Sequence, residues 1–214
     1  VIGDRHRVTD PDTLARLYPQ PVRRALDKES PVVTPAYAAL IRAAPFAVVA
    51  TRGPHGLDCS PRGDGPGFVQ VHDPHTLLLP DRRGNNRLDT LRNLLHDPAV
   101  ALLFLVPGVG ETVRVRGTAA ITTDPELRAG FAVAGTLPAT VLVITVQRVY
   151  FQCQRAVVRA RLWDPESRVD RAGLPSAGDL QAEAGVLTAE EAAAYDADLD
   201  DYVARTLYAG PTKA

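Results

Sequence analysis

Arg62, Arg82, Arg83 and Arg87 fall in two short segments that share an unusual texture. The first is Cys59-Ser60-Pro61-Arg62-Gly63-Asp64, followed by a glycine-rich turn. The second is Pro80-Asp81-Arg82-Arg83-Gly84-Asn85-Asn86-Arg87, which runs straight into an amphipathic stretch. A helix start offers unpaired backbone N–H groups and a partial positive charge. Planar guanidinium forks beside such a start are suited to gripping a phosphate. Arg62, Arg82, Arg83 and Arg87 beside the Gly84-Asn85-Asn86 start therefore suit a phosphate.

Each of these residues also has a plainer reading. The arginines could be solvated surface charges, and Arg82 in particular is expected to point to water. Asn85 and Asn86 could be N-caps, a role compatible with phosphate binding. Asp64 could pair with Arg62 or a neighbouring arginine and hold the loop, or it could touch a substrate. The structural role is favoured, because an acid beside a phosphate site would otherwise weaken it. Asp89 fits as a partner of the helix dipole. His72 and His75 flank a turn with no third ligand near in sequence, an incomplete set for a metal. Ser60 lies in no nucleophile-elbow pattern. Cys153 reads as a small buried hydrophobe rather than a redox centre. Trp163 reads as a core or interface anchor.

Composition narrows the classes of function. Net charge is −1 over 214 residues, which argues against bulk binding to nucleic acid or an anionic membrane. Hydrophobic residues make up 45% and charged residues 23%, as in ordinary globular chains. The two cysteines, Cys59 and Cys153, form neither a zinc spacing nor a disulfide framework. A cytoplasmic location is the default expectation. No apolar run reaches the ~20 residues of a membrane span, and Val1 to Arg16 is too polar for a secretory leader.

The elements that must position the arginines can be read from periodicity. Residues 10–28 read as helical, with Leu14, Leu17, Val22 and Leu26 near one face and Pro19 and Pro21 breaking the middle. A helix over Pro35 to Ala43 has Thr34 as its N-cap. Phe46 to Thr51 reads as a strand, Gly53 to Gly56 as a turn, and Leu57 to Ser60 as the returning arm. Phe68 to Val71 and Thr76 to Leu79 read as strands around His72 to His75. A helix from Asn86 puts Leu88, Leu91, Leu94 and Leu95 on one side and stops before Pro98. Val100 to Val106 is a near-continuous apolar strand, expected to be buried on both faces. Glu111 to Ile121 alternates, Pro125 to Val133 reads as a helix capped by Asp124, and Val141 to Phe151 is a long last strand. Roughly six strands joined mostly by turns favour an antiparallel barrel with helices outside it over a doubly wound sheet. Beyond Trp163, Asp164 to Gly185 reads as a long connection. Thr188 to Glu191 is a capping box opening a helix to about Leu207. Tyr195, Leu199, Tyr202 and Val203 mark its expected buried face. The implied organisation is an N-terminal helical extension over 1–44, a barrel over 45–163, and a C-terminal connection and helix over 164–214.

The order of these segments resembles the pyridoxamine-phosphate-oxidase-like flavoproteins, and within them an FMN-dependent bacterial subgroup. The matching segments are Pro45 to Thr51 (PF-x-V-x-A-T), Ser60 to Phe68 (S-P-R-G-D-x-P-G-F) and Pro80 to Asn93 (P-D-x-x-G-N-x-R-x-D-T-x-x-N). Later come Leu102 to Gly108, Glu111 to Gly117 (E-T-x-R-V-x-G), and Cys153 to Trp163, where Arg155 to Arg159 keep the spacing. Any one motif is modest; all in order over about residues 30–165 are strong. The resemblance implies an antiparallel split β-barrel of the α+β class and a homodimer with FMN held between the barrels. It implies phosphate contacts from Arg62, Arg83, Asn86 and Arg87, with Gly63 and Asn85 beside them. It places Pro80 and Asp81 along the isoalloxazine or ribityl chain, and Thr112 and Arg114 where the adjacent strand reaches the flavin, from the partner subunit. Gln152 to Arg159 would close the pocket. The implied activity is that of an FMN-dependent oxidoreductase on a small molecule, with NAD(P)H or oxygen as redox partner. Split-barrel relatives that bind deazaflavin or haem, or only hold flavin, are the alternatives.

Overall fold

The computed structural model describes residues 6–208. One side of its sheet is built from a tight hairpin. Strand β1 (Phe46–Gly53) turns through Pro54 and His55 into β2 (Gly56–Gly63), with Gly56 at φ 111°, where a side chain would be strained. Strands β3 (Gln70–Asp73) and β4 (Thr76–Pro80) form a second hairpin. The remaining strands are β5 (Ala99–Leu105), β6 (Thr112–Thr122) and β7 (Val141–Gln152). All pairings are antiparallel, in the order β2-β1-β5-β6-β7-β4-β3. Among the described residues, β2 and β3 are the edges of this seven-stranded sheet, which stays open between them. Sheet and helices together make the split-barrel α+β fold.

Alternation sorts the side chains. Ala47, Val49, Val100, Leu102, Phe104, Val113, Val115, Ile144 and Val149 form one buried core with Leu77 and Leu79. Helix α3 (Pro35–Ala43) closes it with Ala38 and Ile41; Thr34 caps that helix by accepting a hydrogen bond from the Tyr37 N–H. Helix α4 (Asp89–His96) adds Leu94, and Asn93 donates to the Thr51 hydroxyl at 3.1 Å, tying α4 to β1.

Several local expectations are corrected. Residues 10–28 form two short helices, α1 (Pro11–Leu17) and α2 (Arg23–Leu26). The prolines between them break the run, and Leu14, Leu17, Val22 and Leu26 are all exposed. Phe68 and Val69 are buried but precede β3; Gly67 at φ 85° holds them in a turn. Strand β5 buries only one face, with Ala101, Leu103 and Leu105 half-buried on the other. Helix α4 begins at Asp89 and not at Asn86, because Asn86 and Leu88 adopt φ 58° and 59°, which no helix accommodates. Leu95, about 100° round the helix from buried Leu94, is exposed. Helix α5 (Pro125–Ala129) is capped by Asp124 as expected but ends early, at Gly130. A five-residue helix after β7, α6 (Arg155–Arg159), leads to Trp163, whose indole N–H donates to the Val109 carbonyl at 2.8 Å. The 164–185 stretch is not a plain connection. It holds two 3-10 turns and α7 (Ala177–Glu183), which packs on α8 (Ala189–Thr206). The capping box at Thr188 is present, yet of α8 only Ala192 is buried; Tyr195, Tyr202 and Val203 are exposed. No helix among the described residues is long and apolar enough to cross a membrane.

Candidate functional site

The two arginine-bearing segments meet because β2 is an edge strand and the chain after β4 runs back beside it. Ser60 and Arg62 pair with Val49 and Ala47 of β1 and so share their side of the sheet. There they form one wall of a cleft of about 540 Å³. The opposite wall is the chain from Pro80 to Leu91, including Asp81, Arg83, Asn85, Asn86 and Arg87. Gly63 lines the same cleft. Phe68, Leu91 and Leu137 give it apolar surface.

The loop that carries Asn85 to Leu88 is strained by design of its sequence. Two non-glycine residues, Asn86 and Leu88, sit in the left-handed region on either side of Arg87. Asn85 accepts a hydrogen bond from the Arg87 N–H at 3.1 Å, a local turn that keeps the helix from starting sooner. The N-cap position is therefore Leu88, and no side chain caps α4. Asn85 and Asn86 are not N-caps, contrary to the plainer reading. The start of α4, from Leu88 to Leu91, faces the cleft without a side-chain acceptor.

The charges around the cleft are arranged in pairs. Arg62 donates to the Ser60 hydroxyl at 2.6 Å and to the Pro61 carbonyl at 2.8 Å. Asp81 is half-buried; burial pushes its carboxyl above the usual range, and the positive charge of Arg62 only partly offsets this. Arg87 is largely exposed and donates to Asp89 at 2.7 Å. Asp89 thus sits in the first turn of α4, as expected, and also holds Arg87.

Arg82 corrects its expectation. It does not point to water: its guanidinium donates to Asp64 at 2.8 Å and to the Phe131 carbonyl at 2.7 Å. Asp64 takes the loop-holding role, with Arg82 as the arginine. It accepts a further bond from Tyr208 Oη at 2.6 Å, and its other close donor is the Gly65 N–H at 2.8 Å. Burial pushes the Asp64 carboxyl up, but the bonds from Tyr208, Gly65 and Arg82 together outweigh it and hold the group below its usual range.

The structure does not bring every candidate into this cleft. Thr112 and Arg114 lie on β6, which is separated from β2 by β1 and β5, or about 14 Å at the ~4.8 Å strand spacing. Thr112 is buried; Arg114 is exposed, with its guanidinium 6.0 Å from the Tyr150 ring centre. None of Gln152 to Arg159 lines the cleft. Cys153 is exposed and not the buried hydrophobe expected, because it follows the last pairing of β7 and precedes α6. His72 and His75 are exposed on the β3–β4 hairpin. Sequence reasoning missed Leu207 and Tyr208, which line the cleft from the end of α8. Tyr208 lies 144 residues from its partner Asp64, and no local motif marks such a contact.

No curated protein sequence matches the chain. Among solved structures, HupZ of Group A Streptococcus is 20% identical, with a TM-score of 0.48 over 56% of this chain and 94% of that one. General Stress Protein 26 from Bacillus anthracis is 16% identical, with a TM-score of 0.41 over 53% of this chain and 88% of the other. A protein related to general stress protein 26, of the pyridoxinephosphate oxidase family, from Clostridium acetobutylicum is 14% identical. Its TM-score is 0.42, over 54% of this chain and 84% of its own. The sequence profile described as Pyridoxamine 5'-phosphate oxidase matches residues 33–153, more than half of the chain and the whole run from the approach to α3 to the end of β7. The chain belongs to the pyridoxamine 5'-phosphate oxidase family.

Proposed function

We propose that this chain binds FMN in the cleft between β2 and the Pro80–Leu91 segment and works as an FMN-dependent oxidoreductase on a small molecule. The observation that carries the reading is the convergence of Arg62, Arg83 and Arg87 on a cleft that also receives the uncapped start of α4. Guanidinium forks and free helical N–H groups are a donor set for a dianionic phosphate. Phe68, Leu91 and Leu137 supply apolar surface for a flat ring and keep water from it. Asp81 is a carboxyl of the cleft whose hold on its proton burial strengthens, against the partial offset of Arg62. FMN supplies the redox chemistry when bound, and these residues bind and orient it. None of the described residues that line the cleft is a histidine or cysteine, the usual axial ligands of haem iron, so a flavin phosphate suits the donor set better than haem.

A homodimer completes the proposal. The outward face of β1, β2 and β5 presents Phe46, Val48, Ala50, Leu57, Leu103 and Leu105, all exposed or half-buried. Arg114 borders that face on β6. A second copy docked there would cover the apolar patch and could offer its Arg114 to a cleft that its own chain cannot reach.

The test is a pair of titrations followed by flavin fluorescence. FMN should bind at least about tenfold tighter than riboflavin, which lacks the phosphate. Equal affinity for the two would remove the phosphate site. Addition of NADH or NADPH to the FMN complex then separates turnover, seen as bleaching of the flavin, from simple holding of the cofactor.

A further inference from the structure

The C-terminal helix is joined to the rest of the molecule in an odd way. Helices α7 and α8 pack on one another, with the Gly178 N–H donating to Asp196 at 2.8 Å. A side chain at Gly178 would run into the Ala192 carbonyl, so the two helices are in close contact. Toward the barrel α8 offers little: Tyr195, Tyr202, Val203 and Leu207 all stay exposed. Its end nevertheless reaches the cleft, where Leu207 and Tyr208 form part of the wall. What holds it there is a compact polar knot. Tyr208 Oη donates to Asp64 at 2.6 Å, Arg82 donates to the other carboxylate oxygen at 2.8 Å, and the Arg82 guanidinium lies 5.9 Å from the centre of the Tyr208 ring. Arg82 is anchored in turn to the Phe131 carbonyl.

We infer that the segment ending α8 is a strap at one end of the cleft, latched by Tyr208 to the Asp64–Arg82 pair, and that this latch sets how long the cleft retains its occupant. Asp64 and Arg82 come from the two segments that form the opposite walls. A tyrosine fastened to that pair therefore ties the walls together as well as the helix to them. Asp64 stands six residues along from Asp58, the lining residue at the other end of β2, or about 20 Å at the ~3.3 Å rise of a strand. The latch thus closes the end of the cleft away from Arg87, whose charge interacts with Asp58. Among the described residues α8 makes no large apolar contact with the barrel, and Tyr208 supplies the hydrogen bond that fastens its end. Tyr208 is a positioning residue for the wall.

The choice of FMN as probe rests on the proposed cofactor; the latch itself does not. The variant is Tyr208→Phe in the full chain, which keeps the ring and removes the donor. Tyr202→Phe, an exposed tyrosine of the same helix outside the cleft, is the control. Two readouts are taken: the rate of FMN release in a displacement experiment, and amide hydrogen exchange of residues 63–68 and 200–208 without ligand. Tyr208→Phe should speed FMN release about tenfold, the effect of one lost charge-assisted bond, and should speed exchange in both segments. Tyr202→Phe should do neither. Unchanged release from a protein that binds FMN overturns the inference. Should the wild type bind no FMN, the cofactor reading falls, and exchange alone decides: faster in Tyr208→Phe supports the latch, and unchanged exchange overturns it.

Discussion

At the scale of residues, the cleft works through charges whose partners differ in exposure. Arg62 is half-buried and already bonded to Ser60 and Pro61, so it is pre-aimed, whereas Arg87 is exposed and shared with Asp89. Arg62→Ala should weaken FMN binding by about 1.5–3 kcal/mol, and Arg87→Ala by clearly less, since an exposed paired charge contributes little. Flavin titration of the two variants would check the order, and the reverse order would move the phosphate toward Arg87. Asp81 makes a prediction about pH. Its folded carboxyl is raised by burial, so the folded state disfavours the charge and loses stability as pH rises from the ordinary carboxylate range through the raised value. Asp81→Asn should therefore raise the melting temperature at pH values above the ordinary carboxylate range, where the fold opposes the charge on this group. The gain should fade toward pH 3, where both are neutral; a gain that persists there would point to packing instead of charge. The motif made Arg62, Arg83 and Arg87 legible in the sequence as neighbours of one cleft. Arg82 was misjudged because its partners, Asp64 and the Phe131 carbonyl, lie 18 and 49 residues away.

At the scale of elements, periodicity located every strand to within a few residues, since alternating Val, Leu and Phe leave one face to the core. It misplaced elements where backbone conformation, not side-chain pattern, decides. The start of α4 is set by the left-handed Asn86 and Leu88, and nothing in a leucine announces a positive φ. The C-terminal helix carries an amphipathic pattern that the structure does not bury, so its period says nothing about what it packs on. The β6–β7 pairing contains a register shift between Arg116 and Gly117, and a side chain at Gly117 would meet the Thr145 carbonyl. Gly117→Ala should cost about 1–3 kcal/mol in chemical denaturation, as overpacking against backbone does. A loss well under 1 kcal/mol would show that the bulge relaxes freely. Gly53 is similarly committed, because the Asn93 side chain that bonds Thr51 fills the place its own would need.

At the scale of the whole molecule, the family and the split-barrel α+β fold follow from sequence and structure together, and the assembly is the proposed step. One chain holds Arg62, Arg83 and Arg87 at the cleft but keeps Arg114 on a strand too far away to join them. If the apolar outer face is the dimer contact, Leu103→Glu should shift the protein toward monomer in sedimentation equilibrium and lower flavin affinity with it. A wild-type monomer that binds FMN tightly would separate the site from the interface. The central claim, that this cleft holds FMN, is tested most directly by the absorbance spectrum of the purified full chain, with the cofactor released by heat and identified by mass. The account predicts oxidised-flavin bands near ~450 nm and the mass of FMN, retained on desalting or restored by added FMN. A colourless protein that takes up no added FMN would contradict it.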